Sequence, residues 1–400
     1  MFGKMRVAIM GTGDIAGVMA KTLRKTHGVT CYAVGSRAQA KADTFAKEHG
    51  IKKAYGSYLE LVCDPRVDLV YVATPHSEHF ANVKLAIDHG KAVLCEKAFM
   101  LNEKQAKQIF QFAEEKKVFV SEAMWTRFLP FNETIRQMIS GGMIGEPTML
   151  TANLGYNIAW KQRIMEPSLG GGALLDIGIY PLNFASMVFG DDVTDISSIC
   201  TYNQNGLDEQ DSITLRYRNG RMAVLNCTTR GTSDRFGIIY GTKGYMVVEN
   251  INNYEALTIY ENSGKKIGHY KRKRQISGYE YEVLACVRAM KKGFLECPEM
   301  PHAESLKMLN MMDFVRNQLG IKYPSEMPVM MREQTRENMQ SENDVPKVMA
   351  VDVKTDSQEE ISPAQEKAIP DQVNVNRDVF AQIEQSDVLS NDSTGTGIQQ

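Results

Sequence analysis

The first 124 residues alternate short apolar runs with longer stretches whose apolar positions recur every three or four residues. RVAIMG, TCYAVGS, DLVYVAT and AVLCEKA have the length and branched content of buried strands, whereas GVMAKTLRKT, AQAKADTFAKEHG, HFANVKLAIDHG and NEKQAKQIFQFAEEKK have helical periodicity. Strand and helix taking turns predicts βαβ crossovers and an α/β domain with a doubly wound parallel sheet over residues 1–124. KVFVSEAMWTRF adds one more strand and leads out of this unit. From about Thr148 the pattern changes. TMLTANLGY, DISSICTY, DSITLRY, MAVLNCTT, FGIIYG, YMVVEN and ALTIY follow one another with Asn, Gly and Asp between them, which predicts an open, mostly antiparallel sheet. Two helical segments, GYEYEVLACVRAMKKG and HAESLKMLNMMDFVRNQLG, complete a second, α+β domain over residues 125–328. Residues 329–400 hold one Phe and no Trp, Tyr, Cys or His, too little apolar surface to offset ordering entropy, so a disordered tail is expected there.

Charge sharpens the last boundary. The formal net charge of -2 hides a tail with 6 basic and 14 acidic residues, against a mild positive surplus spread along the rest. Nothing in that spread calls for a nucleic-acid partner. The seven cysteines form no CxxC pair, lie mostly in apolar runs and are odd in number, which argues against a disulfide framework and structural zinc and fits a reducing compartment. MFGKMRVAIMGTG passes straight into a strand-length run with no cleavage-type segment, and no apolar stretch is expected to approach membrane-spanning length. The expectation is a soluble cytoplasmic protein with no membrane partner.

RVAIMGTGDIAGVMAKTL places Gly11, Gly13 and Ala16 at G-x-G-x-x-A spacing, directly after a strand and at the start of a helix. Gly11 permits the tight turn, Gly13 lets the backbone approach a pyrophosphate, and Ala16 lets helix and strand pack closely; Thr12, Asp14 and Ile15 lie in the same loop. Alone the pattern would be a tight turn, but at the first βα turn of a doubly wound sheet it reads as the dinucleotide loop of a Rossmann domain. The second strand ends in Gly35-Ser36-Arg37, where a carboxylate would grip the ribose hydroxyl of NAD. A hydroxyl and a guanidinium there suit a 2′-phosphate instead. NADP is therefore the expected cofactor, with NAD left open and a solvated Arg37 as the plain alternative. A later strand ends in Thr74-Pro75-His76, again where such sheets hold ligands. His76 and His79, three apart with no third ligand nearby, are expected at the helix start or the cofactor and not on a metal.

VLCEKAF ends the next strand in Glu96-Lys97, which alone would be a surface ion pair. The other domain supplies a counterpart, SLGGGALLDIGIYPLNF, where Asp176 and Tyr180 stand four apart on one helical face and Pro181 is expected to loosen the helix just past Tyr180. Taken alone, this acid and phenol would equally make a satisfied polar patch.

The ordered set GTGDIA, TPHSEHF, CEKA, EAMWTRF and GGGALLDIGIY resembles the Gfo/Idh/MocA family of NAD(P)-dependent oxidoreductases, most of all its dihydrodiol dehydrogenase branch, over roughly residues 5–326. The resemblance implies an open second sheet whose face makes a homodimer or higher oligomer. It also implies hydride transfer between NADP(H) and a carbinol of a sugar, cyclic polyol or dihydrodiol. It puts the catalytic lysine on Lys97, the motif aspartate on Asp176 and the catalytic tyrosine on Tyr180; Ala98 stands where the family usually has proline. Combined with the residue reading, Tyr180 is the acid/base, Lys97 favours its phenolate and holds the substrate oxygen, and Asp176 orients Lys97 or a substrate hydroxyl. Glu96 is expected to position the cofactor or the strand end. Trp125 and Arg127 are expected to line the cleft, although a core position explains Trp125 equally, and Arg163 is expected at the cofactor or substrate. The rival reading is a non-catalytic dinucleotide sensor on the same fold, which need keep neither Lys97 nor Tyr180.

Overall fold

Buried strands come first because their residues have no polar face to offer water. In the computed structural model, which describes residues 4–326, β1 (Met5–Met10), β2 (Val29–Gly35), β3 (Lys53–Tyr55), β4 (Leu69–Val72), β5 (Ala92–Glu96) and β6 (Val120–Ala123) form one sheet in the order β3-β2-β1-β4-β5-β6. All its pairings are parallel. Val7 to Met10 and Leu69 to Val72 are wholly buried, as expected of strands covered on both faces. The crossovers are α1 (Asp14–Lys25), α2 (Gln39–His49), the short α3 (Tyr58–Cys63), α4 (His76–Asp88) and α5 (Glu103–Lys116). Asn102 caps α5 by accepting from the Gln105 backbone N–H at 2.8 Å.

The second sheet follows α6 (Phe131–Ser140). Its strands are β7 (Pro147–Gly155) and, after the short α7 (Gln162–Met165) and α8 (Ile179–Phe189), β8 (Val193–Tyr202), β9 (Asp208–Tyr217), β10 (Met222–Thr228), β11 (Gly237–Gly241), β12 (Gly244–Val248), β13 (Ala256–Glu261) and β14 (Lys266–Lys271). The strand order is β14-β13-β12-β11-β7-β10-β9-β8, antiparallel except for β7 with β10. Its inner face, including Ile213, Leu215, Ala223 and Leu225, packs on α8 and the turn before it, while the outer face carries a half-exposed row of rings, Tyr240, Tyr245 and Tyr260, the last two stacked. Helices α9 (Glu280–Lys291) and α10 (His302–Gln318) then return to the first sheet. Ser305 donates to Glu122 at 2.6 Å and His302 Nε2 meets the Val120 carbonyl at 2.9 Å, so α10 ties the two sheets together.

Two expectations need correcting. Pro181 does not loosen the helix beyond Tyr180. It sits in the first turn of α8, where a missing N–H costs least, and the irregularity is a π turn upstream at Leu174–Gly178. The proline N would otherwise bond toward the Ile177 carbonyl, so the ladder opens before it and not after. Pro167–Phe189 also has the length and apolar character of a membrane span. Of its most apolar 18 residues 89% are buried inside the protein, because they form the core under the second sheet. The expected tail at 329–400 lies outside the described residues.

Candidate active site

The carboxyl ends of the parallel strands open onto a cleft of about 830 Å³ whose far wall comes from the second sheet and its helices. Gly11, Thr12, Gly13, Asp14 and Ile15 line one end. Gly11 has φ 114°, and a Cβ there would come within 2.7 Å of the Ala73 carbonyl oxygen, so only glycine fits. A Cβ on Gly13 would meet no protein atom within 4 Å. The space kept clear at Gly13, which caps α1 without a side-chain partner, is where a pyrophosphate would take the free N–H groups of the helix. Beyond β2, Ser36, Arg37, Lys41 and Tyr58 line the cleft, with two cations and two hydroxyls and no carboxylate among them. These features fit a phosphorylated dinucleotide.

Thr74, Pro75 and His76 also line the cleft. His76 is pushed down to about 3 by burial and by its neighbours His79 and Lys97, so it is a neutral imidazole, seated between the Gly170 carbonyl at 2.8 Å and the Lys97 carbonyl at 3.2 Å. His79 does not reach the cleft. It is fully buried behind Thr74, with Nε2 at 2.8 Å from the Thr74 carbonyl and Nδ1 at 3.0 Å from that of Ala98. Its place in the sequence, one helical turn inside α4, points it back at the strand ends, where it fixes the turn that presents Lys97. The Lys97–Ala98 peptide bond is cis, and Ala98 is buried.

Lys97 reaches across to the π turn. Its ammonium donates to the Asp176 backbone carbonyl and to Asp176 Oδ1 at 3.3 Å, and it lies 5.0 Å from the centre of the Tyr180 ring. Arg163 pairs with the same Oδ1 at 2.6 Å. Burial would raise the Asp176 carboxyl, but the charges of Lys97 and Arg163 outweigh it and hold the group well below the usual carboxylate range. Tyr180 is pushed the other way. Burial first, then Tyr279, Glu96 and Asp176, lift its phenol well above 10, with the Trp125 indole N–H acting in the opposite sense without reaching hydrogen-bonding geometry. Lys97 does not bond the Tyr180 hydroxyl in this arrangement; its charge is directed to Asp176. Glu96 lines the cleft and accepts from the Tyr71 hydroxyl.

Two expected cleft residues lie elsewhere. Trp125 is buried beneath Tyr279, ring on ring at 4.1 Å and 5°, so Tyr279 is the aromatic surface the cleft presents. Arg127 points away from the cleft and holds α8 from behind, donating to Asn183 Oδ1 at 2.6 Å and Ser186 Oγ at 3.0 Å and pairing with Glu304 at 3.1 Å. Both sit in the 3₁₀ turn Trp125–Phe128, whose one-residue steps of about 120° separate neighbours that a strand pattern would place on one face. The polar and aromatic lining residues missed by sequence reasoning include Lys41, Tyr58, Tyr156, Lys161, Asn252 and Tyr279. Lys41, one turn beyond Arg37, carried a usable signal. Lys161 bridges to Asp14 at 2.7 Å, joining the loop after β7 to the start of α1.

Comparison with known proteins agrees with this geometry. Residues 5–124 match the family model described as oxidoreductase family, NAD-binding Rossmann fold, and residues 132–247 match the GFO/IDH/MocA C-terminal domain. The chain is similar to trans-1,2-dihydrobenzene-1,2-diol dehydrogenase of Xenopus tropicalis, 36% identical over 73% of this chain and 90% of the relative. It is 31% identical to the human protein of the same name, over 79% and 96%. Among solved structures, a 3-ketoreductase from Actinomadura kijaniata in complex with NADP and TDP-benzene superposes with a TM-score of 0.72 at 23% identity, covering 79% of this chain and 98% of that one. An aldose-aldose oxidoreductase from Caulobacter crescentus gives 0.72 at 20%, with the same coverage. With both halves matched in order, and relatives above 30% identity across most of their length, the chain belongs to the Gfo/Idh/MocA family of NAD(P)-dependent oxidoreductases, enzymes acting on CH–OH groups.

Proposed function

We propose that the protein is an NADP-dependent reductase and dehydrogenase of a dihydrodiol, sugar or cyclic polyol, with Tyr180 as the acid/base, Lys97 and Asp176 orienting the reacting oxygen, and a homodimer formed through the outer face of the second sheet. The observation that carries this reading is the meeting of Lys97, Asp176 and Tyr180 on one wall of the cleft, next to the glycine loop. When bound, the reduced nicotinamide supplies the hydride. Tyr180, kept protonated by burial, is poised to donate its proton to a carbonyl oxygen during reduction. Lys97 gives two N–H groups to Asp176, which fixes its ammonium on this wall of the cleft and leaves a third to meet the reacting oxygen. Tyr279 and Tyr156 offer flat apolar faces to a ring, and Asn252, which accepts from the Tyr156 hydroxyl at 3.1 Å, adds polar recognition. The names of the curated relatives support a diol, and that of the Caulobacter neighbour supports a sugar.

The test is to follow absorbance of NADPH, then NADH, with a panel of cyclic diketones, aldoses and inosose ketones, and the reverse reaction with dihydrodiols. Tyr180→Phe should cut turnover by about 10²–10⁴-fold, the usual loss of a general acid, with cofactor affinity nearly unchanged. Full activity in that variant removes Tyr180 from the chemistry, and tight cofactor binding without turnover on any substrate favours the sensor reading.

A further inference from the structure

Glu96 is a carboxyl of the cleft that neither the cofactor loop nor the Lys97–Asp176–Tyr180 set accounts for. Glu96 ends β5, is 7% exposed, and takes the hydroxyl of Tyr71, itself fully buried on the neighbouring strand β4. Behind it on α9, Glu282 is fully buried, with neither carboxyl oxygen partnered among the described residues. A partnerless buried carboxylate is too costly to persist, so Glu282 stays protonated, an effect the nearby Glu96 reinforces. The groups that face Glu96 are Tyr71 from β4, Cys95 from β5, Lys97 just beyond it, Asp176 and Tyr180 from the π turn and α8, Tyr279 just ahead of α9 and Glu282 within it; Glu96 and Tyr180 line the same cleft, and the ammonium of Lys97, the residue after Glu96, lies 5.0 Å from the Tyr180 ring centre.

We propose that Glu96 is a positioning residue for Tyr180, its carboxyl gaining and losing a proton so that the charge it presents sets how readily the phenol gives up its own. The inference rests on the acid role of Tyr180. Lys97 and Arg163 supply two positive charges to this wall of the cleft, and Asp176 supplies one negative. With Glu96 ionised these charges cancel, and the phenol is held as a weak acid. With Glu96 protonated the wall carries one net positive charge, which favours negative charge developing on the phenol and on the substrate oxygen. Burial raises Glu96 to about 7, with the Tyr71 hydroxyl and Lys97 opposing, so the change of state falls in the neutral range. Tyr180 itself stays protonated far above that range, so it cannot be the source of a limb near neutrality.

The experiment is a pH profile of carbonyl reduction by the NADPH-loaded enzyme. In the wild type, kcat should fall by about threefold to tenfold as pH rises through 7, the effect of up to roughly one unit in the acidity of Tyr180. Glu96→Gln keeps the shape and an acceptor for Tyr71, and should hold the low-pH rate across the range with no limb. Tyr71→Phe removes a donor that favours the carboxylate, and should move the limb to higher pH. Glu282→Gln, replacing a group that stays neutral, should leave the limb in place. In cofactor-free protein, difference infrared spectra should show a protonated carboxyl band that titrates near neutrality and disappears in Glu96→Gln. A limb retained in Glu96→Gln, or unmoved in Tyr71→Phe, overturns the inference. Should Tyr180→Phe lower turnover while Glu96→Gln keeps its limb, only the role of Glu96 fails; should Tyr180→Phe stay active, the acid assignment fails first.

Discussion

Replacing Asp176 by asparagine removes one charge from a nearly buried carboxylate and leaves its shape. The carboxylate is 7% exposed and serves two cations, Arg163 at 2.6 Å and Lys97 at 3.3 Å. A hydrogen bond to a charged group is worth about 1.5–3 kcal/mol. Both contacts belong at the lower end, since the lysine bond is long and the Arg163 side chain is 44% exposed and screened by water. Two contacts at about 1.5 kcal/mol give about 3 kcal/mol, which matches the low end of the 3–5 kcal/mol seen when one partner of a buried pair is removed. The amide oxygen still accepts a bond, so the expected net loss is about 2–3 kcal/mol. Urea denaturation at pH 7 should show a lower midpoint with an unchanged slope.

The pH dependence gives a second reading of the same variant. Because the folded state holds Asp176 low, its stabilisation is fully present above the unfolded pKa of about 4 and is lost as pH falls through the folded value. The gap between wild type and Asp176→Asn should therefore narrow as pH falls below about 4. A loss under about 0.5 kcal/mol, within the ordinary range for surface substitutions, would refute the charge balance described for this wall. A gap that stays constant down to the acid limb would show that the effect comes from packing and not from charge.

Other outcomes follow from the same geometry. Arg37→Ala with Lys41→Ala should raise the dissociation constant for NADP by about tenfold to a hundredfold, one or two charge-assisted bonds, and barely change that for NAD, as measured by fluorescence titration; an equal effect on both would dismiss the 2′-phosphate role. Lys161→Ala breaks the bridge to Asp14 and should speed NADP release several-fold in stopped-flow without altering the chemical step. Tyr245→Glu places a charge in the middle of the outer-face ring row and should convert a dimer to monomer in light scattering; a wild type that is monomeric at micromolar concentration removes that surface as an interface.

What could be read along the chain was what short-range patterns encode. The glycine loop, the strand ends at Ser36, Thr74 and Glu96, and the pair Asp176 and Tyr180 all lie within a few residues of a pattern that predicts their placement. β14 was not foreseen because KIGHYK is a charged edge strand, and charge at an exposed edge hides the alternation that marks an inner strand. The π turn was hidden because it changes hydrogen bonding without changing which residues are apolar. Tyr156, Asn252 and Tyr279 reach the cleft from the end of β7, the loop after β12 and the start of α9, a meeting created only by the order of the second sheet. Trp125 and Arg127 show the reverse error. Their residue types suit a cleft, but the 3₁₀ turn sends one beneath Tyr279 and the other to the back of α8. The charges at the strand end were equally readable as an ion pair, and that reading assumed that Glu96 and Lys97 face each other in water. In the fold each answers a different partner, Lys97 the π turn and Glu96 the phenol of Tyr71. Lys97 is thereby drawn to Asp176, and burial lifts the Glu96 carboxyl even though the Tyr71 hydroxyl and Lys97 both oppose the rise, a balance set by three chain segments that no short pattern around VLCEKAF encodes.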